Sequence, residues 1–472
     1  MPEAQKLILF ELNEVPFRVF DYFIERHPNS NIAKLFDRGN SFETTTEDTG
    51  HLSPWITWPS VHRGVANSSH GITDFGQNLT EIDSEFPPIW QLLANQGVSV
   101  GMFGSLHSYP VPQHLDGYKF FVPDTFAAGP ECFPEKLSEF QKFNLAMAEA
   151  NSRQVSSALM LGKALPFLAA APGLGLRART AVSLARQLVR ERANRDLVCR
   201  RRTSQVEIAF DFYLRQLKRT KPDISFFFSN HVASTMHRFW PGAFPEDYAA
   251  QNWIPGYDQR FSGEIEYTMG VADRFVGELM RFAENEQGYS VILLGSMGQH
   301  ASEGRKAVNA QVMCVDLQRF MAGLGVPADS WSKRLSMAPQ YVVAIDAVAK
   351  PAFLDRLAKL HIGNEPVDFS DRGDVVVFEL GHANLPDDVP IGDDGGLVAA
   401  SDIGLRNVQI NDGSAAFAYH IPQGALVHYN PRQRSGFSKS RASISTLDIA
   451  PAILRNFGKQ PHAYMERGFS LS

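Results

Sequence analysis

Short runs of apolar, β-branched and aromatic residues recur along this 472-residue chain, each ending in small or polar residues and leading into a stretch with helical spacing. Four of them, Leu7–Leu12, Val98–Phe103, Ile224–Ser229 and Ser290–Gly295, are continuously apolar, as parallel strands covered on both faces tend to be. Helices are expected between them. Pro87 to Gly97 has Pro in its first turn and Gly just past its end. Within Ser262 to Glu284, Ile265, Met269, Ala272, Phe275, Val276, Leu279 and Phe282 recur at three- and four-residue spacing, so one face packs on a sheet. Near the C-terminal end, Ser445 is placed to cap a helix with Asp448 in its first turn and Gly458 as its stop. The pattern predicts an α/β fold with a mostly parallel central sheet and helices on both faces.

Two stretches interrupt this rhythm. Leu161 to Arg202 is first rich in Ala, Leu, Pro and Gly and then in arginine, with nine arginines between Arg177 and Arg202 against Glu191 and Asp196. Its apolar part contains Lys163, Pro166 and Pro172 and is shorter than the ~20 apolar residues a spanning helix needs, so it is not expected to cross a membrane. A helical cap with a solvated basic face is one reading. A surface in peripheral contact with anionic lipid through 161–202, or one that attracts an anionic substrate, is the other. The second stretch, from about Val312 to Ala415, has two strand-like runs (YVVAI and DVVVFEL) and an acidic loop (LPDDVPIGDDGG), and no motif in it carries readable chemistry. The expected organisation is a core in three parts, 1–125, 216–310 and 416–472, with cap-like insertions at 126–215 and 311–415.

Hydrophobic residues make up 44% of the chain and charged residues 20%, enough apolar material for a sizeable core. The net charge of −6 gives no field that would gather nucleic acid, so no nucleic-acid partner is expected. Cys132, Cys199 and Cys314 lie far apart with no CxxC pair, which argues against a disulfide framework or a zinc knuckle. The N-terminal MPEAQKLILFELNE lacks the form of a signal peptide, and a reducing cytoplasmic setting is expected.

In open α/β sheets ligands collect beyond the carboxyl ends of the strands. Glu11, Asn13 and Glu14 stand there after the first strand, followed by SPWITWPSVHRGVANSSHGI, in which Thr57 lies where a helix should begin. A hydroxyl in that position can attack phosphorus or sulfur, because helix N-terminal amides stabilise the anion being attacked; it can equally be a cap.

The run TWPSVHRGVANSSHGI resembles the nucleophile segment of the alkaline phosphatase superfamily, in its type I phosphodiesterase/nucleotide pyrophosphatase branch. PPIWQLLANQGVSVGMFGSLHSYP resembles the next helix and strand of that branch, and PDISFFFSNHVASTMHRFWP its central metal-ligand strand. His420-Ile-Pro-Gln-Gly424 resembles the late His-x-x-x-Gly motif, and TLDIAPAIL with Met465 and Gly468 the closing helix and turn. The resemblance implies an alkaline-phosphatase-like core, and in that family two divalent metals clamp the group attacked by a Thr or Ser.

Carried over position by position, Thr57 matches the nucleophile, and His237 and His420 match two histidine ligands. Four family ligand positions are changed: Asn13, Ala233, Ser296 and Met297. Two neighbouring dications repel strongly unless carboxylates compensate them, so a two-metal centre is not expected. Three outcomes stay open. At most one divalent metal, Zn or Mn, sits on His237 and His420 with Glu11, Asn13 or His231 completing its shell. Alternatively Thr57 acts without metal, with His237 or His420 as base and Arg63 as the clamp on anionic oxygens. The third is a non-catalytic protein that binds an anionic ligand or partner. Ester chemistry on a small anionic or lipid-linked phospho- or sulfo-ester ranks first among them.

Overall fold

The computed structural model describes residues 4–74, 77–149, 167, 170–248, 257–302, 308–334, 336, 339–373, 375–386, 390–393, 396–410, 416–433, 440–465 and 467–471. The chain divides into two compact units, one of residues 1–144, 162–305 and 416–472, the other of 145–161 and 306–415.

The larger unit is built on an eight-stranded sheet. The strands expected from their apolar runs form at Lys6–Leu12, Val100–Phe103, Ile224–Ser229 and Tyr289–Leu294, and they lie side by side with Tyr118–Val122, all parallel. Leu7–Phe10, Phe226, Phe227 and Val291–Leu294 are buried, consistent with helices packing on both faces. Three more strands lie toward the other edge, Asn40–Thr45, Gln423–Tyr429 and Ala442–Ser445, the first and last of them without an apolar run to announce them. Gln423–Tyr429 is antiparallel to both of its neighbours, and the rest of the sheet is parallel.

The expected helices appear at Ile89–Asn95 and Glu264–Asn285. At the C-terminal end Ser445 and Asp448 form a capping box ahead of the helix Ile449–Asn456. The arginine-rich stretch is helical at Ala178–Ala193 and Arg201–Thr220; of the apolar run before it, residues 161–166 and 168–169 lie outside the described residues. Among the described residues no helix is long and apolar enough to cross a membrane. Among the described residues Cys132, Cys199 and Cys314 form no disulfide.

The smaller unit has its own core, in which Phe320, Val343, Phe353, Val376 and Phe378 meet. Its two strand-like runs pair with each other as Gln340–Ile345 and Val375–Glu379. The acidic loop falls partly outside the described residues, at 387–389 and 394–395.

Candidate functional site

The carboxyl ends of the parallel strands deliver the chemistry-bearing residues to one place. The Asn13 amide donates to Ser229 O (3.0 Å), tying the loop after the first strand to the end of its neighbour. Glu14 follows with φ of 61°, a left-handed conformation that costs a non-glycine residue about 1–2 kcal/mol and therefore needs support from its surroundings. That support comes from its side chain. Glu14 Oε1 accepts from Asn13 Nδ2 (2.7 Å), and Oε2 accepts from Gln299 Nε2 and faces His237 Nε2 (3.0 Å) and His420 Nε2 (3.3 Å).

Both imidazoles are oriented from behind. His237, on the helix His231–Ala243, donates from Nδ1 to Ala418 O (2.7 Å); His420, on the strand Ala418–Ile421, donates from Nδ1 to Leu52 O (2.6 Å). With Nδ1 carrying the proton, Nε2 of each ring points at the same carboxylate oxygen. A ligand atom from each of Glu14, His237 and His420 lies within 4.8 Å of the other two.

The arrangement admits two occupants. Imidazole lone pairs facing a carboxylate repel it, so a proton or a cation belongs among the three groups. Burial would raise the Glu14 carboxyl, but the charges and hydrogen bonds of His420 and His237 outweigh it and hold it well below the usual carboxylate range. Burial likewise lowers the His420 imidazole, and Glu14 overrides it so that the net shift is upward. Backbone-oriented imidazoles beside a carboxylate are the donor set that Zn and Mn take, so the residues present fit a single metal.

The structure brings His237 and His420 together and completes them with Glu14, which sequence reasoning placed in the loop but did not choose as a ligand. The candidates for that role are engaged elsewhere. Glu11 is fully buried, and its two oxygens are taken by His62 Nε2 (2.7 Å) and Ser105 Oγ (2.6 Å). Asn13 is saturated: its Oδ1 accepts from Trp58 Nε1 (2.7 Å), while Nδ2 serves Glu14 and Asn230 Oδ1 (2.8 Å). It positions Glu14 and is not free to ligate. His231 is enclosed between Ser229 Oγ (2.7 Å) and Thr268 O (3.1 Å), and burial pushes its pKa down to about 3.

Thr57 stands in the second turn of the helix Pro54–Arg63, whose start is capped by Ser53. It is fully buried, and its hydroxyl shares a hydrogen bond of 2.8 Å with Ser296. Met297, next in the chain, is also buried. The link from Thr57 to the trio is indirect, through its neighbour Trp58 to Asn13 and through Leu52 to His420. Arg63, expected as a clamp on anionic oxygens, is wholly buried and donates to Asp83 (2.5 Å), so it behaves as one half of an ion pair. Burial lowers its pKa against the pull of Asp83. Ala233 contributes its carbonyl, which accepts from Gln299 Nε2 (3.1 Å).

No protein-family profile and no curated protein matches the sequence. Among solved structures, the chain is similar to murine ectonucleotide pyrophosphatase/phosphodiesterase 5 over 97% of its own length and 96% of that chain, at 11% identity and a TM-score of 0.40. The same murine protein as an inactive variant in complex with AMP matches at 12% identity, and the human ectonucleotide pyrophosphatase/phosphodiesterase 5 at 11%, both with the same coverage and TM-score.

Proposed function

We propose that this protein is a divergent phosphoesterase- or phosphodiesterase-like enzyme that holds one divalent metal, Zn or Mn, on Glu14, His237 and His420, and attacks an anionic phospho- or sulfo-ester with Thr57. The observation that carries this reading is the placement of Glu14 Oε2 at 3.0 and 3.3 Å from two imidazole nitrogens whose opposite nitrogens are tied to backbone carbonyls. Such a metal acts as a Lewis acid on an ester oxygen. The chain's own residues do the rest. Asn13 and Gln299 hold the Glu14 carboxylate, Leu52 O and Ala418 O fix the rings, and the Thr57 hydroxyl is held by its hydrogen bond with Ser296. An ester reaches Thr57 Oγ1 only when the side chains that cover it open.

Incubation with bis-p-nitrophenyl phosphate, p-nitrophenyl phosphate and p-nitrophenyl sulfate, with Zn, Mn or EDTA, tests the reading. Metal-dependent release of nitrophenol that Thr57→Ala abolishes supports it. Equal inertness of wild type and Thr57→Ala on all three counts against it. The complete burial of Thr57 favours a second reading, a non-catalytic protein that binds an anionic ligand at the trio; a ligand-induced rise in Tm in an inert protein would select that reading.

A further inference from the structure

The helix Ala178–Ala193 is folded inside out. The side chains it turns inward are polar: Thr180 is 2% exposed, Gln187 6% and Glu191 3%. They are locked there, Gln187 Nε2 donating to Leu197 O (2.6 Å) and Glu191 Oε1 (3.0 Å), and Glu191 accepting from Arg201 (2.8 Å), so the helix cannot roll. Among the side chains it turns outward, beside arginines, are large apolar ones. Val182 is 47% exposed, Leu188 56% and Val189 67%, three of the seven large hydrophobic residues exposed among those described. At 100° per residue, Ala178, Val182, Ala185 and Val189 make one solvent-facing ridge, and Arg179, Arg186 and Arg190 make a row beside it.

That row borders a groove of about 990 Å³, which Arg26 and Arg274 also line. Arg179 pairs with Glu278 (2.5 Å) and Arg274 with Glu207. The two acids in the groove are occupied: Glu266 by His27 (2.9 Å), and Asp273 by Asn31 Nδ2 (2.8 Å) and Ile32 N (2.7 Å). Among the described residues no carboxylate pairs with Arg186, Arg190 or Arg26; Arg26 lies instead over the Tyr22 ring at 3.7 Å. Arg186 and Arg190, four residues apart, repel each other across one helical turn unless an anion lies between them.

From this geometry we infer that the face made by the Val182–Val189 ridge and the Arg186–Arg190 row docks on an anionic lipid membrane. An exposed apolar ridge inserts at the headgroup boundary while flanking guanidinium groups meet lipid phosphates. A soluble phosphate compound would account for the arginines but leave the valines and Leu188 without a role. A second copy of the chain fits less well: a 16-residue helix is about 24 Å long and ~10 Å wide, a footprint of roughly 240 Å² against the ~800 Å² per partner of a stable interface.

The full-length protein is floated with vesicles of phosphatidylcholine alone, and of phosphatidylcholine with a third phosphatidylserine, at low and high salt. The expected result is retention on the anionic vesicles only, lost at high salt, weakened about fivefold for each arginine removed in Arg186→Gln and Arg190→Gln, and weakened also by Val182→Ser with Val189→Ser. These outward-facing substitutions leave Tm unchanged, which separates lost docking from lost folding. Absence of retention, or retention that none of the variants alters, overturns the inference. So does a rise in Tm with pyrophosphate in a protein that vesicles ignore, which would mark a site for soluble phosphates, or a dimer in sedimentation that the valine variants dissociate.

Discussion

Glu14 Oε2 and His420 Nε2 lie 3.3 Å apart although one belongs to the loop after the first strand of the chain and the other to a strand near its end. His420 stands just ahead of Gln423–Tyr429, which runs antiparallel to its neighbours and so enters the sheet at the end where the parallel strands leave it. Ala233 stands on the helix His231–Ala243 where the sequence resemblance led to the expectation of a carboxylate, and the carboxylate facing the two imidazoles comes instead from the loop after the first strand, with a left-handed backbone at Glu14.

Asn13 is predicted to position Glu14, not to bind metal itself. Asn13→Ala should therefore weaken Zn or Mn affinity about 10–100-fold while leaving the stoichiometry unchanged, as loss of an outer hydrogen-bond partner does elsewhere. Calorimetric titration of the metal-free variant reads both quantities. A variant that binds no metal at all would make Asn13 a ligand.

Thr57→Val keeps the shape of the side chain and removes its hydroxyl, leaving Ser296 Oγ buried without its partner. Stability should fall by about 1–3 kcal/mol in urea unfolding, and ester hydrolysis should disappear. Thr57→Ser should retain a measurable rate. Undiminished turnover in the valine variant would remove Thr57 from the chemistry.

Gly298 opens the strand that carries Gln299. A Cβ there would lie 2.2 Å from Gln423 O, a backbone atom with no freedom to withdraw. Gly298→Ala should cost about 1–3 kcal/mol, as overpacking of a tight site does, and should weaken metal binding because Gln299 holds Glu14. Unchanged Tm and metal affinity would show that the two strands separate freely.

Stability should decline as pH falls below about 6.5. Burial pushes His70, His107 and His231 down to about 3 and His428 to about 4, so each stays neutral in the folded chain. Between pH 6.5 and those values the unfolded chain takes up a proton at each site that the folded chain refuses, and stability drops by about 1.4 kcal/mol per pH unit per group. Asp124 opposes this. Burial raises it to about 6, so its contribution is present at low pH and is lost as pH rises through about 6. Asp83, which burial also raises, acts in the same direction as Asp124, and part of the four imidazoles' slope remains between pH 6 and 4. Urea midpoints measured from pH 8 to 4.5 should fall on the acid side, and His428→Gln should flatten the decline. A flat profile would mean these imidazoles protonate in the folded protein.

The central strands were legible because strands covered on both faces must be apolar throughout, as in Leu7–Leu12 and Ile224–Ser229. The edge strand Asn40–Thr45, with its polar sequence NSFETT, lacks that requirement and reads as a loop. Ile89–Asn95 and Glu264–Asn285 were legible from their punctuation and spacing. At the site, His237 and His420 stood out through the motifs that contain them. Glu14 did not, because its role depends on a backbone conformation that sequence spacing does not encode. The burial of Arg63 against Asp83 was equally hidden, since an arginine near the end of a helix is ordinarily solvated. The inverted face of Ala178–Ala193 was hidden as well: its arginines suggested a basic surface, but nothing in the sequence shows that Gln187 and Glu191 would be the side chains buried.

The claim on which the account rests is a single metal on Glu14, His237 and His420. Metal-free protein titrated with Zn and with Mn, followed by calorimetry and by elemental analysis after dialysis, tests it most directly. One equivalent bound by wild type, and none by Glu14→Gln or His237→Ala, is the predicted result. Two tightly held equivalents, or one equivalent that survives Glu14→Gln undiminished, would contradict it.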